Sequence, residues 1–257
     1  MKRIAYWSLA AIAAILLTIT ISFPASWLAP FVEHHTGNQF TLNDAQGTLW
    51  SGSAYLVSIN RSQVALARSV PGRFEWTLSP WIVLGKLEAS IRNPQLQENV
   101  LIISGSWRRW QLSNINLRLP ASQLALLGFP FNTLKLSGQM RLSAPSITLV
   151  SLPEGLEIVG AMQLQLNDIA SVLSPVKPLG NYRMEFKWQG NRAQLTLATL
   201  SGPLQLMGQG ELINGHVHFS GQAWAMPEEE GRLANLLNLV GRRQQSNNRT
   251  IFLIEII

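Results

Sequence analysis

The chain has 257 residues, of which 47% are hydrophobic and 13% charged, with a formal net charge of +6 and no cysteine. The absence of cysteine excludes a disulfide framework and any thiolate metal site. The cations are spread along the chain without a basic block, which argues against a nucleic-acid-binding surface.

The N-terminus carries the strongest single signal. Lys2 and Arg3 precede an uncharged apolar run at 4–23, and the next charged residue is Glu33. Twenty helical residues rise about 30 Å, the thickness of the hydrocarbon core of a bilayer. Because cations stay on the cytoplasmic side, this pattern also predicts the orientation. We predict a cytoplasmic N-terminus at 1–3, a transmembrane helix at 4–28 and a periplasmic β-rich domain at 29–257.

A cleaved signal peptide is the alternative interpretation of this run. Cleavage needs small residues at the cut and three positions before it. Cleavage after Ala25 would place Phe23 at that second position, and cleavage after Ala29 would place Trp27 there. An uncleaved anchor is therefore favoured.

Alternation of apolar and polar residues dominates the exported part. This period-2 pattern predicts a mainly β fold, with a curved antiparallel sheet and a few short helices. Strands are predicted around 134–142 and 158–166, and short helical turns at 121–127 and 168–173.

Glycines recur inside the predicted strands. Glycine weakens a strand unless the chain must bulge, bend or approach another backbone closely. These glycines therefore favour a strongly curved sheet, with chance recurrence among 19 glycines as the alternative. They are Gly52, Gly138, Gly160, Gly208 and Gly221.

Two hairpins are predicted between residues 181 and 225. Asn214-Gly215 separates two alternating runs, which is the strongest short hairpin signal. Pairing outward from this turn sets Ile213 opposite His216, Leu212 opposite Val217, Gly210 opposite Phe219 and Gly208 opposite Gly221. In the preceding hairpin, a turn near Gly190 sets Ala193, Leu195 and Leu197 opposite Trp188, Phe186 and Met184.

One longer helix is predicted at 227–240. Pro227 and the acids that follow it suit a helix N-terminus, and four apolar residues then fall on one face. These are Leu233, Leu236, Leu237 and Val240. The polar stretch 244–248 predicts a mobile loop, and 251–257 a terminal strand.

Little catalytic chemistry is indicated. His216 and His218 share a strand face and could begin a metal site, with Glu211 as a third ligand. A polar, solvated sheet face is the favoured alternative, and no nucleophile elbow, zinc-protease motif or phosphate-binding loop occurs. We predict a protein that is not an enzyme and has no metal or cofactor.

Several segments resemble the type II secretion system protein N family. The first is Gly47-Thr48-Leu49-Trp50-Ser51-Gly52-Ser53-Ala54, followed by Trp76-Thr77-Leu78-Ser79-Pro80-Trp81. The later ones are the run Ser201 to Gly210, with Gly202, Pro203, Gly208 and Gly210, and Gly221-Gln222-Ala223-Trp224-Ala225. The resemblance covers nearly the whole chain.

The resemblance implies an inner-membrane protein with a periplasmic domain, an accessory or assembly component of the machinery that exports folded proteins across the outer membrane. It implies no catalytic residue and no cofactor. Partners would be other subunits of that machinery. The two glycine-containing motifs are candidate partner-binding or structural elements, with Trp50 either an interface anchor or a core residue.

A second hypothesis is a periplasmic lipid-binding or lipid-transfer module. The family is distantly similar to envelope proteins of the AsmA-like type, whose curved sheets form apolar grooves. An apolar sheet face that is not closed over would hold acyl chains in this interpretation. Fold-level analogy alone is a weak basis for function.

Overall fold

The computed structural model describes residues 22–38, 40–58, 71–97, 99–127, 131–153, 155–213, 216–246 and 249–256. Its contacts divide the chain into two compact units, Met1–Trp107 (unit 1) and Arg108–Ile257 (unit 2). Both are built mainly from antiparallel strands with a few short helices, which confirms the mainly β, antiparallel part of the predicted fold.

Unit 1 is an antiparallel meander that follows one short helix. A 3-10 turn, Ala25–Trp27, leads into α1 (Leu28–His35). The strands are β1 (Phe40–Gly47), β2 (Ser51–Ser58), β3 (Phe74–Leu78), β4 (Leu87–Arg92) and β5 (Leu101–Gly105), paired in that order. A second 3-10 turn, Pro80–Leu84, joins β3 to β4.

No helix within the described ranges is long and apolar enough to cross a membrane. Residues 4–21 of the predicted span 4–28 lie outside those ranges. In the part that is described, Pro24 is extended, with φ −69° and ψ 141°, and pairs with Thr48 before the 3-10 turn begins.

Unit 2 contains the longer strands. They are β6 (Arg109–Pro120), β7 (Leu136–Leu152), β8 (Gly155–Ser171), β9 (Gly180–Gly190), β10 (Arg192–Ser201), β11 (Leu204–Ile213), β12 (His216–Ala225), β13 (Arg242–Ser246) and β14 (Arg249–Ile256). The helical segments are the 3-10 turn Ala121–Leu127, α2 (Phe131–Leu134), the 3-10 turn Pro227–Glu229 and α3 (Glu230–Val240). The strands pair in chain order to β12, after which β14 lies between β12 and β13.

The predicted hairpin registers are confirmed. Gly210 pairs with Phe219 and Gly208 with Gly221, and Leu195 pairs with Phe186. The turn Asn214-Gly215 lies outside the described residues. The register follows from the alternation, because a slip of one residue would move every apolar side chain to the solvated face.

Two predictions from local sequence were wrong. The segment 168–173 is not a helical turn, because β8 continues to Ser171. Asp168 has φ +51° at a shift in the β8–β9 register, and its N–H donates to Asn181 Oδ1 at 2.6 Å. The predicted helical turn is therefore replaced at its first residue by a bulge in the sheet. The segment 244–246 is not a mobile loop but part of the polar edge strand β13.

The strand glycines fall into two groups. Gly138 and Gly160, with φ +123° and +144°, lie at register shifts between β7 and β8. Gly52 lies beneath the ring of Trp76, and Gly208 and Gly221 beneath the ring of Phe219. Both groups fit bulging or close approach, and the predicted curvature of the sheet stays a prediction.

The core of unit 2 lies where helical segments cover one sheet face. Leu233, Leu236 and Leu237 of α3 pack on sheet residues that include Leu204, Ala223 and Phe252. The first 3-10 turn of the unit packs Ala121 and Leu124 against Met140, Leu166, Ile169 and Tyr182. The predicted apolar helix face is thus confirmed, and the helix covers the sheet as its pattern requires.

Candidate functional site

The first motif, Gly47–Ala54, forms the turn between β1 and β2. Gly47 has φ +90°, a left-handed conformation that favours glycine, and a Cβ there would lie 2.9 Å from Gly52 Cα. The Thr48 N–H donates to Ser51 O at 2.9 Å, and the Ser51 N–H donates to Thr48 Oγ1 at 3.2 Å. The turn is therefore tight, and both glycines allow the two strands to approach.

Two tryptophans connect this turn to β3. The Leu78 N–H donates to Trp50 O at 2.7 Å, while the Trp76 indole N–H donates to Leu49 O at 3.1 Å. The Trp76 ring covers Gly52, where a Cβ would lie 2.6 Å from Cζ2. Trp50 itself is partly buried. Trp76 thus stabilises the motif, and a partner-binding role for Trp50 stays a prediction.

A shallow groove of about 450 Å³ opens beside this turn, within unit 1. Its lining comes largely from β2, β3 and β4 and mixes apolar surface, as at Trp76 and Val100, with polar side chains. The polar ones include Ser51, Ser53, Glu75, Thr77, Ser90 and Arg92. The hydroxyls of Thr77 and Ser90 are 2.6 Å apart, and Glu75 is paired with Arg92 across the β3–β4 ladder. The groove offers hydrogen-bond donors and acceptors, with one acidic and one basic side chain, to a polar ligand or peptide segment.

An arginine network reinforces the neighbouring bulge in β1. Asp44 has φ +51° where the β1–β2 register shifts, and Arg73 Nη1 lies 2.7 Å from its carboxylate. Arg73 Nε also donates to Ser53 Oγ at 2.8 Å, and its guanidinium lies 5.1 Å from the centre of the Tyr55 ring. Hydrogen bonds from Arg73 and Gln46 lower the pKa of the Asp44 carboxyl. This network holds β1, β2 and the start of β3 together.

The second motif, Ser201–Gly210, contains the turn between β10 and β11. Gly202 has φ +120°, and a Cβ there would clash with Gly180 Cα. The Leu204 N–H donates to Leu179 O at 3.0 Å, and the Met226 N–H donates to Pro203 O at 2.9 Å. Gly202 and Pro203 thus join the starts of β9 and β11 to the end of β12.

Gly208 and Gly210 lie in β11 and face β12. A Cβ at Gly210 would clash with His218 O, and one at Gly208 with the Phe219 ring. The structure explains both as close-packing positions. A direct role of either motif in binding another subunit stays a prediction.

His216 and His218 are exposed on the polar face of β12, and Glu211 is the partner of His218 in the ladder, as predicted. The described residues contain no group of three or more histidines and acids placed to hold a metal ion. The surrounding positions on this face carry neutral polar side chains, among them Gln194, Thr196, Gln209, Ser220 and Gln222, all exposed.

Two features of unit 1 were missed by sequence reasoning. Asn93 is fully buried, with Nδ2 donating to Pro71 O at 3.0 Å and Oδ1 accepting from the Gln95 N–H at 3.0 Å. The turn after β3 exposes Trp81, Val83 and Leu84 by 60%, 67% and 76%. The signal for the second feature was an apolar run beginning at a Ser-Pro step, where a turn and not a strand is expected.

Comparison with known proteins gives a match to a protein family. The family model described as type II secretion system (T2SS), protein N matches residues 38–251. No curated protein and no solved structure matches significantly. The matched range contains both motifs, the strands β1 to β13 and the first three residues of β14.

Proposed function

Because the chain belongs to the type II secretion system protein N family, we propose that it is a non-enzymatic assembly component of that machinery. It supports the export of folded proteins across the outer membrane by binding other subunits. The family match over 38–251 is the observation that carries this proposal.

The N-terminal segment anchors the protein in the bacterial inner membrane in this proposal. Lys2 and Arg3 stay in the cytoplasm, the uncharged run 4–23 crosses the bilayer, and the rest of the chain is periplasmic. The order of charges supports this orientation, since cations are retained on the cytoplasmic side.

The subunit-binding surface is the exposed polar face of β9 to β12. The ladder places Lys187, Gln194, Glu211 and His218 in one row across these strands. Met207, 51% exposed, adds apolar surface to the same face of β11. The face combines neutral polar groups with charges of both signs, among them Lys187 and Glu211, which a partner of complementary charge could recognise.

The first test is deletion of the gene in a native host, with secretion of an exoprotein as the readout. We expect secretion to fall and to return when the full chain is supplied. Normal secretion together with unchanged assembly of the secretion complex would contradict the proposal.

The binding surface is tested with a photo-crosslinking amino acid placed at Gln209, on the polar face. The matched control is Leu239, which is 43% exposed on α3, the helix that covers the opposite face. Position 209 should crosslink to a secretion subunit in native membranes and position 239 should not. Equal crosslinking at both positions, or none at 209, would argue against this surface.

Lipid binding is the second candidate, and one observation favours it. Beyond α3 and the first 3-10 turn of unit 2, the apolar face continues with Phe186, Trp188 and Leu212, which are only partly buried. Mass spectrometry of lipids that copurify with the full-length protein separates the two candidates. Stoichiometric phospholipid that is displaced by an added fatty-acid probe would favour the lipid module.

A further inference from the structure

Unit 1 exposes an unusual amount of large apolar surface. Trp81, Val83, Leu84 and Trp107 are exposed by 60%, 67%, 76% and 66%, and Trp27 by 66%. Soluble surfaces carry single apolar residues without consequence, whereas a contiguous group marks an interaction site.

The meander brings these side chains to one edge of the unit 1 sheet, where edge means the side formed by the ends of the strands and their turns. Successive connections of an antiparallel meander alternate between its two ends. The ladder pairs at one end are Gly47 with Gly52, Leu78 with Ala89, and Leu87 with Gly105. The turn 48–50, the turn 79–86 and the segment from Ser106 to Trp107 therefore leave the sheet at the same edge. Four strand spacings make this edge about 19 Å long.

The N-terminal apolar run joins the sheet at this same edge. The Leu49 N–H donates to Phe23 O at 2.8 Å, and Pro24 pairs with Thr48. Residue 23 is the last of the uncharged run 4–23. In the anchoring proposed above, the membrane-spanning run would therefore end beside the turn 48–50.

Local structure directs these side chains outward. Pro80 begins the 3-10 turn, and Gly85 ends it in the left-handed conformation, with φ +88°. A Cβ at Gly85 would lie 3.1 Å from Trp107 Nε1, so the indole rests against the turn. Lys86 follows and forms an ion pair with Glu88 at 2.8 Å. Exposed tryptophan and leucine beside a lysine is the composition of a surface that enters the interface of a membrane.

We propose that this edge, the interfacial edge, lies in the headgroup region of the bilayer that holds residues 4–23. Trp27, Trp81, Val83, Leu84 and Trp107 contact lipid there, so that unit 1 is docked on the membrane and not only tethered to it. The inference rests on the anchoring proposed above. Its occupant is the lipid surface because the chain enters the sheet from the anchor at this edge.

The test uses the full-length protein in nanodiscs of phosphatidylethanolamine and phosphatidylglycerol. Because the chain has no cysteine, Val83→Cys and Val100→Cys each give a single site for a nitroxide spin label. Val100 is the matched control, a valine 39% exposed at the opposite edge of the same sheet. Collision with oxygen, which concentrates in lipid, is compared with collision with a nickel chelate, which stays in water.

We expect the oxygen-to-nickel collision ratio to be several-fold higher at position 83 than at position 100. The double variant Trp81→Ser/Leu84→Ser should lower the ratio at position 83 without releasing the protein from the membrane. Equal, water-like ratios at both positions would overturn the inference. So would a label at 83 that is shielded from both reagents, because that result means burial in protein.

Extraction with alkaline carbonate distinguishes this failure from failure of the anchor. If the protein resists extraction but the label at position 83 is water-like, only the docking of the interfacial edge is refuted. If the protein is extracted, the anchoring is refuted, and the docking with it.

Discussion

The two units use their aromatic side chains in opposite ways. In unit 1, Trp27, Phe31, Trp81 and Trp107 are each more than half exposed. In unit 2, every aromatic side chain that the structure describes is at least partly buried. Aromatic residues usually dominate the energetics of a core. Unit 1 therefore leaves several of its largest apolar groups outside its own core.

The stabilising contacts differ accordingly. Unit 2 packs α3 and a 3-10 turn on its sheet through large aliphatic residues. Unit 1 buries mainly small side chains, such as Ala25 and Ala54, and joins its strands through Asn93, Trp76 and Arg73. A sheet held by polar contacts at its turns can present aromatic residues to a partner without losing its core.

The largest expected effect is at Leu233, which is fully buried on the sheet-facing side of α3. Leu233→Ala should lower the free energy of unfolding of unit 2 by about 2–5 kcal/mol, through lost transfer energy and a cavity. Hydrogen exchange of α3 and β14 peptides in the full-length protein measures it. Leu239→Ala, at an exposed position of the same helix, should change exchange by about 0.5 kcal/mol or less. Similar effects of the two substitutions would contradict the packing described for unit 2.

The corresponding test of unit 1 is Asn93→Ala. It leaves Pro71 O and the Gln95 N–H without their partner, and should cost about 1–3 kcal/mol in exchange protection of β3 and β4 peptides. Asn99→Ala, at an exposed position of the same unit, is the control. Loss of protection confined to unit 2 would refute the claim that polar contacts hold unit 1.

Tyr182→Phe tests a hydrogen bond of a titratable group inside the core of unit 2. Its hydroxyl donates to Leu204 O at 3.1 Å, and burial raises its pKa. At about pH 8 the loss of this bond should cost about 0.5–1.5 kcal/mol.

The raised pKa of Tyr182 also predicts how the stability of the protein changes with pH. Because the folded-state pKa is raised, the stabilisation is complete below the ordinary value of about 10 and is lost as pH rises through the folded value. The free energy of unfolding, measured with denaturant, should therefore fall more steeply between about pH 8 and about pH 11 in the wild type than in Tyr182→Phe. Parallel curves would show that Tyr182 ionises as freely in the folded state as in the unfolded one.

The smallest effect is expected at the exposed pair of Asp44 and Arg73. Because the pKa of Asp44 is lowered, its stabilisation is present above the ordinary carboxyl value and is lost as pH falls through the lowered one. Asp44→Asn should reduce protection of β1 slightly at neutral pH and low salt, and less at high salt, since exposed charges are screened. An effect independent of salt would mean that hydrogen bonding alone holds the bulge.

The sequence predicted the hairpins of unit 2 well because the residues that determine their pairing are close together in the chain. Strict alternation around Asn214-Gly215 fixes which residues face each other, and α3 follows from the spacing of four apolar residues. The two motifs were recognised from their residues, but their role as close-packed turns required the facing backbones at Gly180 and Gly52.

The remainder depends on contacts distant in sequence. The position of β14 between β12 and β13 cannot be read from either strand alone. The bulge at Asp168 depends on Asn181 of the neighbouring strand β9, which the local sequence of β8 does not show. Exposure of Trp81 likewise depends on which strands flank its turn.

The strand order also has a consequence for the order of folding. Within each unit, strands up to β12 pair with their neighbours in the chain, so each new strand finds its partner already synthesised. Strand β13 is the exception, because it pairs with β14 and not with β12. We expect pulse-labelled hydrogen exchange during refolding to show β13 protected only together with β14. Strand β14 would then complete the core beneath α3, through Phe252.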